Sequence, residues 1–299
     1  MTKLKYEELI RSLKEAGIGR GDVVHIQSDL RRIGPPDCEA SRKGILKFYL
    51  NAFMEVLGST GTLTACTAFE DYGRYGTPFI REESPSRTDA FSEYLRTRPG
   101  AVRSMHPIVS VTGLGSLAEQ ICGGAHFEGF GYDSPWGRLH RLNAKILTLG
   151  LGPHLGGATF FHYVESIYSV PYKYTKIYTA PVYSGGKEMT GQFTMSVRYL
   201  DYGIVNTPVR MKTHLLDMGK ARNVSVGRSY MWCSDSSDIF DEGMKCLGQD
   251  RFFLLETPPN FRQGEIPMDG PTGPMQTVYD KGSSEVETSR QIPANGEER

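Results

Sequence analysis

An imbalance of charge is missing from this sequence: 34 Lys and Arg cancel 34 Asp and Glu over 299 residues, and no Lys/Arg-rich block interrupts the chain. Without a basic stripe there is no electrostatic footprint for nucleic acid or for an anionic membrane surface, so neither is expected as a partner. Long apolar runs are missing too, since no stretch approaches the roughly 18 residues that a membrane-spanning helix needs. The opening Met1–Ile10 alternates charged with apolar residues as an amphipathic helix does and lacks the apolar core of a signal peptide, which gives a cytoplasmic expectation. Cysteine is sparse: Cys38, Cys66, Cys122, Cys233 and Cys246 are odd in number, widely spaced and free of any Cys-x-x-Cys pair. That pattern argues against a disulfide framework and a structural zinc site, and it reads as reduced thiols used as small hydrophobes.

What is present is an alternation of helix and strand signals. Leu9, Ile10 and Leu13 recur at helical spacing over 5–16 and lead into Gly17–Asp22, a helix stop and a turn. A strand is predicted at Val23–Ile26, a helix over 42–57 stopped by Gly58, and a second strand over 61–67. Residues 72–87 turn to Gly, Pro, Arg and Ser and read as a long surface loop, followed by a helix over 89–98. Strands at 109–112 and 145–149 flank a helix near 116–121. Such alternation predicts an α/β layered sheet in one domain over 1–263. Within it, 168–212 is rich in Tyr, Thr and Val around Ser184-Gly185-Gly186-Lys187, a hairpin signal and a β-rich insertion. Residues 264–299 are poor in aliphatics and rich in Pro, Gly, Ser, Glu and Gln, as in a polar tail or arm.

Three stretches carry candidate chemistry. In Arg98–Pro107, Pro107 biases His106 towards extended geometry at a loop-to-strand junction, with Arg103 and Ser104 beside it suited to an anionic or carbonyl-bearing ligand. A satisfied structural histidine fits the same signal. In Gly150–Glu165, a glycine-rich turn follows a strand and enters a helix, where open α/β sheets tend to hold ligands. On that helix His162 and Glu165 are three apart and share a face. A carboxylate beside an imidazole fixes its tautomer, which suits a general base; an ordinary surface pair is the competing reading. The third stretch, Gln27–Gly34, sets Ser28, Asp29, Leu30 and Arg31 at a strand's carboxyl end, where a hydroxyl and backbone amides can cradle phosphates or a pantetheine arm.

In order and spacing the chain resembles the aminoglycoside 3-N-acetyltransferase family. The matching elements are Gly17-x-x-x-Gly21-Asp22-Val23-Val24, Ser28-x-Leu30-Arg31-x-Ile33-Gly34, Gly61-Thr62-Leu63, Ser84-Pro85-Ser86 and Arg98-Pro99-Gly100-Ala101-Val102-Arg103-Ser104-x-His106-Pro107. Ser134-Pro135-x-Gly137-x-Leu139, Gly150-x-Gly152 and Thr159-x-x-His162-x-x-Glu165 complete the set. The resemblance covers 17 to about 170 and thins beyond. Asp29 stands where the family usually has a second serine, and Cys66-Thr67-Ala68-Phe69 where it has a Pro-Thr-Phe-Thr-like run. The resemblance implies a layered α-β-α sandwich around a central mixed sheet, with acetyl-CoA as cosubstrate. Transfer would be direct, without a metal or a covalent enzyme nucleophile, and a homodimer is compatible with it. It implies His162 as general base oriented by Glu165, with His106 and Ser104 on the carbonyl and pantetheine side; the two histidines' roles are interchangeable at this stage. It also places Ser28, Asp29, Leu30, Arg31, Thr67 and Arg103 near the donor.

The acceptor is a small-molecule amine. Lys173, Lys176, Arg198, Arg210, Lys212 and His214 fall in the region expected to wrap it, which suits an amino sugar, free or nucleotide-linked, or another anionic amine from a biosynthetic pathway. An aminoglycoside antibiotic is the alternative. Three competing readings stand beside this: a metal-dependent hydrolase using His106, His162 and Glu165 as ligands, a catalytically silent member of the fold, and a thiol enzyme using Cys66.

Overall fold

The computed structural model describes residues 3–154 and 157–261. The expected tail over 264–299 lies outside the described residues.

The amphipathic α1 (Tyr6–Glu15) ends at Ala16, and Gly17 turns the chain into β1 (Val23–Ser28). Ser41 caps α2 (Arg42–Leu57) by accepting from the Gly44 amide, and β2 (Thr62–Cys66) follows. The stretch 72–87, expected as a loop, is partly ordered by α3 (Glu70–Tyr75) and β3 (Phe79–Ile80). Burial of Tyr72 and Phe79 explains the difference, because these aromatics anchor what its polar composition disguised. Asp89 and Ser92 form a reciprocal capping box on α4 (Ala90–Arg96). Next come β4 (Val102–Arg103) and β5 (Val111–Gly115), the latter starting two residues later than the predicted strand, and α5 (Ala118–Cys122). Ser134 and Pro135 start α6 (Pro135–Arg141), and β6 (Lys145–Leu149) has the predicted bounds.

After α7 (Phe160–Tyr168), the β-rich region contains β7 (Lys173–Tyr178), β8 (Val182–Ser184), β9 (Lys187–Glu188) and β10 (Phe193–Arg198). Gly185 and Gly186, both at positive φ, turn β8 into β9 as the sequence signalled. The longer alternating runs on either side do not belong to that hairpin: β7 pairs with β10, and β8 docks parallel on β3. The chain continues through α8 (Val209–Asp217), β11 (Ala221–Val226), β12 (Ser229–Asp235) and α9 (Ser236–Gln249).

The main sheet has seven strands in the order β11-β12-β6-β1-β2-β5-β4. Its centre, β6-β1-β2, is parallel, and antiparallel pairs flank it on both sides. Helices α1, α2 and α4 cover one face, burying Leu9, Leu13, Phe53 and Phe91 with Val24, Ile26, Leu63 and Leu147. Helices α6, α7, α8 and α9 cover the other, where Trp136, Leu139, Phe160, Val164 and Ile239 pack with Ile146 and Trp232. This is the α-β-α sandwich around a mixed sheet that the resemblance implied. No described helix is long and apolar enough to cross a membrane.

Candidate active site

The carboxyl ends of β1 and β2, the start of α7 and the strand β10 enclose a cleft of about 350 Å³. Gln27 and Cys66 reach it from the central strands, Thr159 and His162 from α7, Lys173 from β7 and Asn206 from the segment before α8. A smaller cavity of about 160 Å³ shares Gln27, Thr159, His162 and Asn206 with it, so His162 stands where the two meet. Two backbone features set the entry to α7. Gly150 passes so close to β1's loop that a Cβ there would lie 2.3 Å from the Asp29 carbonyl oxygen, and Ala158 is held at φ 87. Thr159 gives α7 no side-chain cap. Gln27 supplies one across the fold, its Oε1 accepting from the amides of Ala158 at 2.7 Å and Thr159 at 3.2 Å.

In the first turn of α7, His162 Nδ1 lies 2.7 Å from Glu165 Oε2. The carboxylate is 1 % exposed and has every acceptor position used: Tyr172 donates its hydroxyl at 2.7 Å, Asn206 its amide at 2.5 Å, and Lys173 its ammonium to Oε2. Burial would raise the Glu165 carboxyl, but the Lys173 charge and the hydrogen bonds from His162 and Lys173 reverse this and hold it at about 2. With Glu165 ionised, Nδ1 must carry the hydrogen, and Nε2 is left as the basic nitrogen. The His162 side chain, 34 % exposed, keeps an edge in the cleft. Enclosure by protein and then the Lys173 charge lower its pKa against the opposing pull of Glu165, so the ring is neutral near pH 7.

The other predicted site residues are placed differently. His106 is fully buried; its Nε2 donates to the Thr194 carbonyl at 3.0 Å and its Nδ1 accepts from the Val109 amide at 3.3 Å. Burial, then the neighbouring His126, lower its pKa to about 3. With both nitrogens engaged, His106 does not join His162 and Glu165 in a ligand set, and no group of three such residues able to hold a metal occurs among the described residues. Ser104 Oγ accepts from the Val111 amide at 2.9 Å. Arg103 is buried under Phe79 and gives its guanidinium to the carbonyls of Thr67, Arg81 and Ser84 and to the Ser110 hydroxyl. Thr67 bonds Ser110 and Thr112. At the end of β1, the Ser28 amide donates to Asp89, and Leu30 begins a short 3-10 turn. Asp29 pairs with Arg31 at 2.9 Å and Arg32 at 3.2 Å, while Arg31 is 91 % exposed. Of the predicted set, therefore, His162 and Glu165 meet at the cleft; Arg103, Ser104, His106 and Thr67 build a wall behind it, and Ser28 to Arg31 form a neighbouring loop.

Sequence reasoning passed over Gln27, Tyr172 and Asn206, and it read Lys173 only as an acceptor charge. Gln27 opened one of the selected stretches without being singled out, Tyr172 lay in the β-rich region over 168–212, and Asn206 carried no local signal.

The model of the family described as aminoglycoside 3-N-acetyltransferase matches residues 24–248, from β1 into α9. The chain belongs to that family. Membership makes it an acyltransferase, an N-acetyltransferase. Among its relatives in this acetyltransferase family, aminoglycoside N(3)-acetyltransferase VIII of Streptomyces fradiae is 28 % identical over 204 residues, covering 62 % of this chain and 68 % of the relative. Aminoglycoside N(3)-acetyltransferase III of a Salmonella species is 25 % identical over 264 residues, 80 % of this chain and 90 % of the relative. Solved acetyltransferases share the fold. AAC-IIIb in a binary complex with CoASH superposes with a TM-score of 0.69 at 23 % identity, over 86 % of this chain and 100 % of that one. AAC-VIa bound to sisomicin gives 0.68 at 24 %, over 83 % and 98 %.

Proposed function

We propose that this chain uses acetyl-CoA to acetylate a primary amine of an aminoglycoside, with His162 as general base. The observation that carries the reading is the His162–Glu165 dyad on α7. Its tautomer is fixed by a buried carboxylate, and its remaining nitrogen belongs to a side chain that opens on the cleft. In the reaction, the acceptor nitrogen attacks the thioester carbonyl carbon as Nε2 takes its proton. The new C–N bond forms, the C–S bond breaks with its electron pair going to sulfur, and the coenzyme A thiolate takes up the proton that Nε2 received, which leaves the free thiol and a neutral His162. General-base assistance of this kind is worth about 10²–10⁴-fold. Direct transfer also agrees with the state of Cys66. Burial raises its thiol to about 11, which leaves almost no thiolate for a covalent relay.

The relatives' printed names and the sisomicin complex support the aminoglycoside acceptor. A second reading, an amino sugar or other amine that carries its own phosphate or carboxylate, is favoured by the cleft's lining, where Arg74, Arg87, Lys173 and Arg198 outnumber the carboxylate of Glu70. The same experiment decides between them: purified protein with acetyl-CoA, challenged with aminoglycosides including sisomicin, free amino sugars and nucleotide-linked amino sugars, and read by mass spectrometry. Acetylation of the antibiotics at more than tenfold the kcat/KM of the anionic amines is the expected result. The reverse preference replaces the acceptor, and no +42 Da product on any amine overturns the transferase reading.

A further inference from the structure

Lys173 sits on β7, eleven residues from His162, yet the fold brings it inside the dyad. Its side chain is only 5 % exposed, its ammonium donates to Glu165 Oε2, and it lies 3.2 Å from His162 Nδ1. The three atoms form a triangle with a single acceptor. Glu165 Oε2 receives from both neighbours, so the Lys173–His162 approach sets a cation against an N–H edge. A positive charge there opposes a second positive charge on the ring.

We propose that Lys173 is a positioning residue of the acetyl-transfer site, which fixes the Glu165 carboxylate and holds His162 in its neutral, proton-accepting form. The inference rests on the reading of His162 as the base. Other charges facing the ring are Glu165 on its own helix and Arg198 from β10, with Arg74 and Arg87 and the carboxylate of Glu70 around the same cleft. Glu165 favours the imidazolium and Arg198 opposes it, and Lys173 lies within hydrogen-bonding distance of Nδ1. A dyad of histidine and carboxylate alone would drift towards the protonated ring in mild acid. The lysine removes that tendency while keeping the hydrogen bond that sets the tautomer.

The experiment compares wild type with Lys173→Met and Lys173→Arg, with melting curves showing that each variant is folded. Two readouts are taken: the pH profile of kcat/KM, and the titration of His162 by nitrogen-15 NMR without substrates, assigned with His162→Gln. In Lys173→Met the acidic limb and the NMR titration should both move up by about one pH unit, so that well below the limb kcat/KM falls about tenfold. Lys173→Arg should keep the wild-type limb. An unchanged His162 titration in Lys173→Met, or an arginine variant shifted as far as the methionine one, overturns the proposal. If Lys173→Met fails to fold, Lys173→Gln, which can keep a hydrogen bond to Glu165 without the charge, takes its place in the same titration, and an unchanged His162 there overturns the proposal. The NMR result stands even if His162 proves not to be the base, which separates failure of this inference from failure of the functional reading.

Discussion

Two buried polar clusters flank the end of the central sheet, and they differ in where their hydrogen bonds go. In the wall formed by Thr67, Arg103, Ser104, His106 and Ser110, most partners are backbone carbonyls and amides. In the cluster of His162, Glu165, Tyr172, Lys173 and Asn206, side chains hold side chains. The first arrangement satisfies backbone groups that an irregular chain could not pair by itself, and it consumes both nitrogens of His106 in doing so. The second engages Nδ1 of His162, whose side chain lines the cleft. Residue type is therefore a poor guide to environment here, since a histidine beside an invitingly polar motif has both nitrogens engaged by backbone and another with an ordinary i, i+3 neighbour lines the cleft.

The comparison breaks most sharply if the two histidines respond alike to truncation. His162→Ala should lower kcat by about 10²-fold or more, with acetyl-CoA affinity and melting temperature nearly unchanged. His106→Ala should do the opposite: the Thr194 carbonyl and the Val109 amide lose a buried partner, at about 1–3 kcal/mol each, while the folded fraction turns over normally. Denaturant unfolding and kcat measured on the same preparations separate the two. An inactive but fully stable His106→Ala would move the base to the wall cluster.

How much of this was legible beforehand follows from sequence distance. The bounds of α2 and β6 could be read because their periodicity is local and their ends carry a cap or a glycine stop. The pairing of His162 with Glu165 could be read for the same reason, since helical spacing alone brings them together. Lys173 was visible only as a charge, because its meeting with Glu165 depends on how β7 leaves α7. Asn206 reaches the same carboxylate from 41 residues away, which no pattern in the chain announces. The strands β7 and β10 were hidden behind the stronger Gly-Gly signal between them, which belongs to the small β3-β8-β9 sheet.

A smaller effect should appear in acid. His25, His106 and His126 are buried, and burial lowers their pKa values to about 3, 3 and 4. The unfolded chain binds protons at these sites near pH 6.5 and the folded chain does not. Their contribution to stability is therefore complete above about pH 6.5 and is lost as pH falls from there towards 3–4, at about 1.4 kcal/mol per pH unit for each group. In His106→Gln, which can keep the hydrogen bonds without the titration, the slope of unfolding free energy between pH 5 and 6 should be shallower by roughly that amount. Parallel slopes in wild type and variant would mean that the wall is less closed to protons than its burial indicates.

The mildest test concerns the link between the two clusters' common scaffold and the dyad. Gln27 leaves the buried strand β1 and caps α7, whose own first residue offers no cap. Removing it leaves the amides of Ala158 and Thr159 to water or to nothing, a loss of about 1 kcal/mol by analogy with helix caps. In a domain of this size Gln27→Ala should lower the melting temperature by about 2–4 °C. Because Ala158 is already held at positive φ, the freed turn has a reason to relax, and His162 lies within one helical turn of it. The expected kinetic result is a fall in kcat of a few-fold, well short of the loss in His162→Ala. Gln27→Glu supplies the same acceptor with a negative charge at a helix N-terminus, so it should restore the melting temperature. Loss of stability without any change in kcat would show that the cap holds the helix but does not set the position of the base. A Gln27→Ala as inactive as His162→Ala would instead place Gln27 in contact with the reacting groups.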